Sequence, residues 1–294
     1  MKTVELPFVF SCQSDDLIGV IHQPEVTSNI GVLVVVGGPQ YRVGSHRQFV
    51  LLARMLADNG ISVMRFDYRG MGDSSGLVCD FSDIDDDIRS AIDEFYLQCS
   101  DLTGVVIWGL CDAASASAFY AYQDKRVKGL VLLNPWVFTE QGAAKTYLKH
   151  YYLQRLCSPA LWRKVFSFQF DYQKSFSSIA LMLKKIVLPS IENASLMRQG
   201  VIDLVDPNLS LPDRVRDCLL RFKSPILFIL SGRDLTADEF RGVVKSCEKW
   251  QLLLEGCEVS TVDLAGMDHT FSSQKWRDEV SQITLKWVKE QSLK

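Results

Sequence analysis

The chain has 294 residues, 47% of them apolar and 23% charged, with a formal net charge of -3. That length supports a full-sized core within one α/β domain, and the near-neutral balance leaves no strong field to attract nucleic acid or an anionic membrane. No apolar run approaches the roughly 18–20 residues that a membrane span requires, and the segment MKTVELPFVFSCQSDD has no apolar h-region or small-residue cleavage site, so a cytoplasmic protein is expected.

Strand-like runs near Leu6 to Phe10 and Leu17 to Ile21 are close enough to pair as a hairpin, which predicts an antiparallel edge. Ile30 to Val36 is a continuous β-branched run ending at Gly37-Gly38 and reads as a buried central strand. Arg47 to Asn59 has helical spacing, with Phe49, Leu52, Met55 and Leu56 on one face, and stops at Gly60. Ile61 to Phe66 is a strand, followed by the loop DYRGMGDSSG. Asp83 to Leu97 is an amphipathic helix. Gly104 to Trp108 is a strand, Asp112 to Tyr122 a small-residue helix, and Gly129 to Leu133 a strand. Pro225 to Leu230 and Val259 to Leu264 are strands, and Gln274 to Gln291 is the last helix.

Strands that alternate with helices imply βαβ units and a mostly parallel sheet with helices on both faces. The alternation breaks after Trp136, where no core strand is evident until Pro212 and the pattern is helical, aromatic and basic. We therefore expect a core of residues 1–136 and 212–294 interrupted by a helical cap, 137–211, at the carboxyl ends of the strands, where open α/β sheets bind ligands.

The eight cysteines show no C-x-x-C pair and no Cys/His cluster with zinc spacing, so no metal or cofactor is expected. Cys111 stands apart. In VVIWGLCDAASA an apolar strand enters a sharp turn and a helix of Ala and Ser follows, the context of a nucleophile elbow with cysteine at the serine position and Ala113 at the final glycine. A packing cysteine at a strand end is the competing reading, and chain order argues against it. The fold that carries this elbow runs nucleophile, acid, base. Here Cys111 is followed by Asp234 in SGRD after one strand, and by His269 in GMDHTF after the next. Among the four histidines, His22 falls in the hairpin, His46 at a helix start and His150 in the cap, which leaves His269. Asp238, read as a first-turn helix residue, and Asp268, read as a loop residue, are the other acid candidates.

Through the Gly37-Gly38 turn, RFDYRGMGDSSG, GLCDA, SGRD and DHTF, the chain resembles the α/β-hydrolase superfamily across nearly its whole length. In GGPQYRVGSHRQF, GLCDAASA and LNPWVFTEQGAAKTYLKHYYLQR it is similar to the cysteine-type hydrolases associated with the exosortase A system, called hydrolase 1; dienelactone hydrolase is a more distant precedent for cysteine at the elbow. The family's usual His-Gly after its oxyanion strand is replaced here by Gly37-Gly38-Pro39. Proline has no N–H to donate, so the oxyanion donors implied are the Asp112 backbone amide with that of either Gly38 or Gln40.

A cysteine nucleophile implies an acyl thioester intermediate, with His269 moving the proton and Asp234 fixing the imidazole tautomer. The expected activity is hydrolysis of an ester or thioester. Transfer of the acyl group to an amine, alcohol or thiol is the alternative, as is a non-catalytic binding protein on the same scaffold. The expected partner is a small-molecule acyl substrate, free or carried by coenzyme A or an acyl carrier protein docking on the basic cap. Trp136, Tyr147 and Tyr151 are the candidate substrate-lining residues. The sequence does not fix the oligomeric state.

Overall fold

The computed structural model describes residues 3–38, 40–139 and 205–292. Among them, eight strands form one sheet in the order β1-β2-β4-β3-β5-β6-β7-β8. Strands β1 (Thr3–Cys12) and β2 (Asp15–Pro24) form the expected hairpin, and β2 also pairs antiparallel with β4 (Val63–Phe66). From β4 onward every pairing is parallel, through β3 (Ile30–Val35), β5 (Gly104–Leu110), β6 (Val127–Leu133), β7 (Ile226–Arg233) and β8 (Val259–Asp268). The fold is thus of the α/β-hydrolase type.

Period-two alternation along the central strands divides the core between two faces. Val32, Val34, Val106, Trp108, Val131 and Ile229 face α1 (Gln48–Asp58) and the last helix, α7 (Gln274–Gln291). Leu33, Val35, Ile107, Leu130 and Phe228 face α2 (Asp85–Gln98), α3 (Asp112–Ala121) and α4 (Leu211–Arg221). Phe240 of α5 (Leu235–Ser246) and Trp250 of α6 (Glu248–Leu254) complete that second face. Because both faces are covered, β3 is buried at all six positions, which is why it reads as an unbroken apolar run rather than an alternating one.

Helix α1 ends where Gly60 takes φ +87 and its amide donates to the Ala57 carbonyl; only glycine reaches that conformation without strain. Strands β5, β7 and β8 run two to four residues beyond the ends expected from their apolar runs, reaching Leu110, Arg233 and Asp268. Parallel pairing continues through Ser231 to Arg233, opposite Asp268, and the polarity of these residues hid it. Helices α4, α5 and α6 were not delineated from sequence, although Asp238 does lie in the first turn of α5. Most of the expected cap, residues 140–204, lies outside the described residues. Among the described residues, no helix is long and apolar enough to cross a membrane.

The strand order positions the site. From β3 the chain moves to β4 on one side and then returns to β5 on the other. The loops leaving β3 and β5 therefore diverge and open a crevice at the carboxyl ends of the sheet.

Candidate active site

Cys111 is the single residue between β5 and α3, with φ 64 and ψ -124. A non-glycine residue held in this region costs of order 1–3 kcal/mol and persists only where the surroundings over-determine it. Here three hydrogen bonds do so. The Cys111 amide donates to the Leu133 carbonyl (2.9 Å), while its own carbonyl accepts from Trp136 and Ala114 (each 3.1 Å).

The small residues around the elbow follow from close packing. A Cβ on Gly109 would lie 2.6 Å from the Ala113 carbonyl oxygen, so α3 approaches β5 too closely for any side chain there. All residues of α3 from Ala113 to Ala121 are buried. Its hydroxyls must therefore find partners inside the protein, and the Ser115 Oγ donates to the Trp136 carbonyl (2.5 Å) and the Ser117 Oγ to the Ala113 carbonyl (2.6 Å).

Asp234 caps α5, its carboxylate accepting from the Thr236 amide (3.1 Å) and the Ala237 amide (3.2 Å). The same carboxylate lies 2.8 Å from His269 Nδ1. A cap held by two backbone amides cannot swing freely, so the imidazole is oriented by a fixed group. His269 is half-buried. Burial by itself lowers its pKa, but hydrogen bonds with Asp234 and Cys111, and the negative charge of both, outweigh it and raise the value to about 10. His269 thus lies between Asp234 and Cys111. The other two acids have other work: Asp238 pairs with Arg241 at 3.1 Å, and Asp268 accepts from the Ser272 amide (3.0 Å) and hydroxyl, bonds that hold its carboxyl below the usual range despite the opposing effect of burial.

One supporting residue was not identified from sequence. Asn134, buried at φ 44 just after β6, donates to Ser231 Oγ (2.9 Å) and the His269 carbonyl (3.3 Å) and accepts from the Ser231 amide (2.8 Å). Ser231 Oγ in turn donates to the Asp268 carbonyl (3.0 Å). This cross-tie fixes the ends of β6, β7 and β8, and with them the backbone of His269. Its sequence signal is an Asn-Pro pair closing an apolar strand.

In the loop after β3, the Gly38 amide donates to the Asp112 carboxylate (2.9 Å), while the Gln40 amide donates to the Gly38 carbonyl (2.8 Å). Gln40 Oε1 is occupied by the Ser45 amide (3.0 Å) and hydroxyl (3.2 Å). The Asp112 carboxylate also accepts from the Ala113 amide at 2.9 Å. Pro39 lies outside the described residues. An open cavity of about 510 Å³ adjoins this loop, lined by Gln40, Tyr41, Met71, Gly72 and Asp73. Its far wall is fixed by the buried Asp67, which accepts from the Asp73 amide (3.1 Å) and the Arg42 amide (2.5 Å) and pairs with the Arg42 guanidinium. Gly72 is required there, since a Cβ would come within 2.3 Å of Asp67.

Trp136 is half-buried beside Cys111 and stacks on Phe138 with ring centroids 5.3 Å apart. Tyr147 and Tyr151 lie outside the described residues. His22 is buried in β2, far along the sheet from the crevice, and accepts from Arg65 Nε at 3.0 Å.

The alpha/beta hydrolase fold family model matches residues 32–252, and no curated protein matches the chain. Solved structures similar to it include an esterase of Pyrococcus furiosus, at 13% identity and a TM-score of 0.63 over 98% of this chain and 91% of that one. A dienelactone hydrolase of Anabaena variabilis is similar at 13% identity and a TM-score of 0.59 over 99% of each. An alpha-beta serine hydrolase homologue from Coxiella burnetii is similar at 16% identity and a TM-score of 0.56 over 96% of each. With the family model spanning most of the chain and the sheet, elbow and loop order all in agreement, this protein belongs to the alpha/beta hydrolase fold family.

Proposed function

We propose that this protein is an ester or thioester hydrolase that works through a covalent acyl-Cys111 intermediate, with His269 as the proton carrier and Asp234 as its orienting acid. The observation that carries this reading is His269 Nδ1 lying 2.8 Å from the Asp234 carboxylate, with Cys111 held at the strained turn after β5 near enough to help raise the imidazole pKa to about 10. An imidazole fixed by a carboxylate and set near a thiol is the arrangement that activates a cysteine nucleophile. The similarity to an esterase and to a dienelactone hydrolase supports the same class.

In the first half-reaction the Cys111 thiolate attacks the acyl carbon and the carbonyl π pair moves onto oxygen. That oxygen is held by the amides of Asp112 and Gly38. Collapse expels the alcohol or thiol, which takes the His269 proton. Neutral His269 then removes a proton from water, and the resulting hydroxide attacks the thioester carbon. Collapse releases the acid and returns Cys111 to the thiolate and His269 to the imidazolium. The aromatic, helical pattern of residues 137–211 supports a cap over the site, with Trp136, Tyr147 and Tyr151 as the candidate substrate-lining residues. The cap's cations suit a coenzyme A or acyl-carrier donor. The cysteine at the elbow and the resemblance of GGPQYRVGSHRQF, GLCDAASA and LNPWVFTEQGAAKTYLKHYYLQR to exosortase A-associated hydrolases support membership of that group.

Intact-mass analysis after mixing with p-nitrophenyl butyrate or butyryl-coenzyme A tests this. The expected result is a transient butyryl adduct that peptide mapping assigns to Cys111 and that disappears as butyrate accumulates. Turnover with no adduct in wild type, and with full activity retained by Cys111→Ala, would remove Cys111 from the mechanism. A persistent adduct discharged only by added amine, alcohol or thiol would make the protein an acyltransferase.

A further inference from the structure

We propose that the Asp112 carboxylate is an internal occupant of the oxyanion hole, and that Cys111 is acylated only when this side chain gives way to the substrate's carbonyl oxygen. The inference rests on the reading above, in which the Gly38 and Asp112 amides form that hole.

The Gly38 donor is already in use. Its amide lies 2.9 Å from Asp112 Oδ2, and the Ala113 amide, next along α3, lies 2.9 Å from Oδ1. A carboxylate oxygen held by backbone amides at the start of α3 has the charge and the ligands that the tetrahedral intermediate's oxygen needs. The two compete for the Gly38 amide.

The loop after β3 is shaped around this contact. At Gly37 a Cβ would come within 2.2 Å of Asp112 Oδ1, 2.6 Å of the Leu110 carbonyl and 3.0 Å of the Ala113 amide. Any other residue there would push the loop off the carboxylate. Gly38 turns at φ +61, with open space where a Cβ would be, and this turn presents its amide to Asp112.

No cation among the described residues forms an ion pair with this carboxylate. Among the described residues, the groups that act on it most strongly are the amides of Gly38, Ala113 and Asp112 itself and the like charge of Asp80. Tyr68, buried nearby, is pushed up to about 12 by burial and by the Asp112 charge. Burial raises the Asp112 carboxyl above the usual range and the amide hydrogen bonds offset only part of that rise, so the amides are the groups that favour its charged form. Asp112 therefore acts as a specificity-determining residue: it slows acyl donors that bind weakly at the carbonyl and admits those whose bound geometry forces the oxygen onto the Gly38 and Asp112 amides.

The test compares two reactions of the same sulfur in the full-length protein. Acylation by p-nitrophenyl acetate, followed by the p-nitrophenolate burst, needs the hole. Alkylation of Cys111 by iodoacetamide, followed by peptide mapping, does not. Taking the ratio of the two rates cancels any change in thiol reactivity caused by losing a nearby negative charge. Asp112→Ala is expected to raise the acylation-to-alkylation ratio roughly tenfold or more, within the range that an oxyanion donor contributes. Asp112→Asn, neutral and with a single good acceptor, should fall between Ala and wild type, and it decides the matter if the alanine variant does not fold. A ratio that stays unchanged or drops in both variants, with acyl-Cys111 still forming, overturns the proposal and leaves the acyl-enzyme reading standing. Absence of acyl-Cys111 in all three proteins, with alkylation intact, overturns both.

Discussion

Two histidines at opposite ends of the sheet show how neighbours rather than burial set a side chain's role. His22, in the β1–β2 edge, and His269, at the carboxyl end of β8, are both shielded from water, and shielding alone lowers the pKa of each. At His22 the next strongest influence is the Arg65 guanidinium, which donates to Nε2 at 3.0 Å, and the pKa falls to about 4. The 3.7 Å approach of Glu5 to its other nitrogen is consequently not an ion pair at neutral pH. At His269 the neighbours are a carboxylate and a sulfur, and the pKa rises to about 10. One imidazole is a neutral acceptor inside an edge; the other is a charged donor to a carboxylate, with a cysteine nearby.

The largest break in this contrast comes from the sulfur. Cys111→Ala should reduce turnover by roughly 10⁴-fold or more while leaving the circular dichroism spectrum unchanged, because a small side chain fits the elbow. Cys111→Ser should retain weak activity at best, since a hydroxyl is far less acidic than a thiol and depends more on His269 for activation. Iodoacetamide should inactivate through Cys111 despite Cys257 being exposed. Cys247 is the informative control: backbone amides of Trp250 and Lys249 and the nearby Arg216 lower its pKa, so it should label too, yet Cys247→Ser should keep full activity.

Next in size is the acid. Asp234→Asn keeps the shape but cannot hold the imidazolium, and turnover should fall by about 10²–10⁴-fold. For a histidine whose folded pKa is raised, the stability contributed is full below the ordinary value near 6.5 and is lost as pH rises through about 10. The variant should lose its stability difference from wild type in that interval, measured as Tm against pH. A Tm gap that widens toward alkaline pH would contradict the assignment.

Asn134→Ala removes the tie between the three strand ends and places alanine at positive φ. About 1–3 kcal/mol of stability should be lost, with a fall in kcat larger than any change in KM. An unchanged kcat would reduce Asn134 to a purely structural role. The smallest expected effect on turnover is at the edge. A histidine with a lowered folded pKa makes the protein lose stability as pH falls from about 6.5 to about 4, because the unfolded chain takes up the proton first. His22→Gln, which can still accept from Arg65, should flatten the acid side of the stability profile by up to about 1 kcal/mol per pH unit and leave turnover unchanged.

Much of this arrangement was legible in the sequence because it depends on short-range pattern. The apolar runs of β3 and β5, the glycine stop after α1 and the small residues of α3 each reflect local sterics or burial on both faces. The order Cys111, Asp234, His269 could be read because each residue follows a strand end, and parallel strands bring their carboxyl ends to one edge. Asn134 escaped notice because its partners, Ser231 and His269, are 97 and 135 residues away in the chain, and a lone asparagine after a strand carries no sign of what it will meet.

The sequence by itself determined the strand-turn-helix around Cys111 and the class of fold, since hydrophobic period and close-packing glycines act over a few residues. It left open which amide after Val36 faces the elbow and what the carboxylate of Asp112 does. The tertiary structure alone decided those points. The strand order seats the β3 loop on the start of α3, so the Gly38 amide meets Asp112 while the Gln40 amide turns back to Gly38, and a hydrogen bond between groups 74 residues apart depends on how two loops converge in space, not on either loop's own composition.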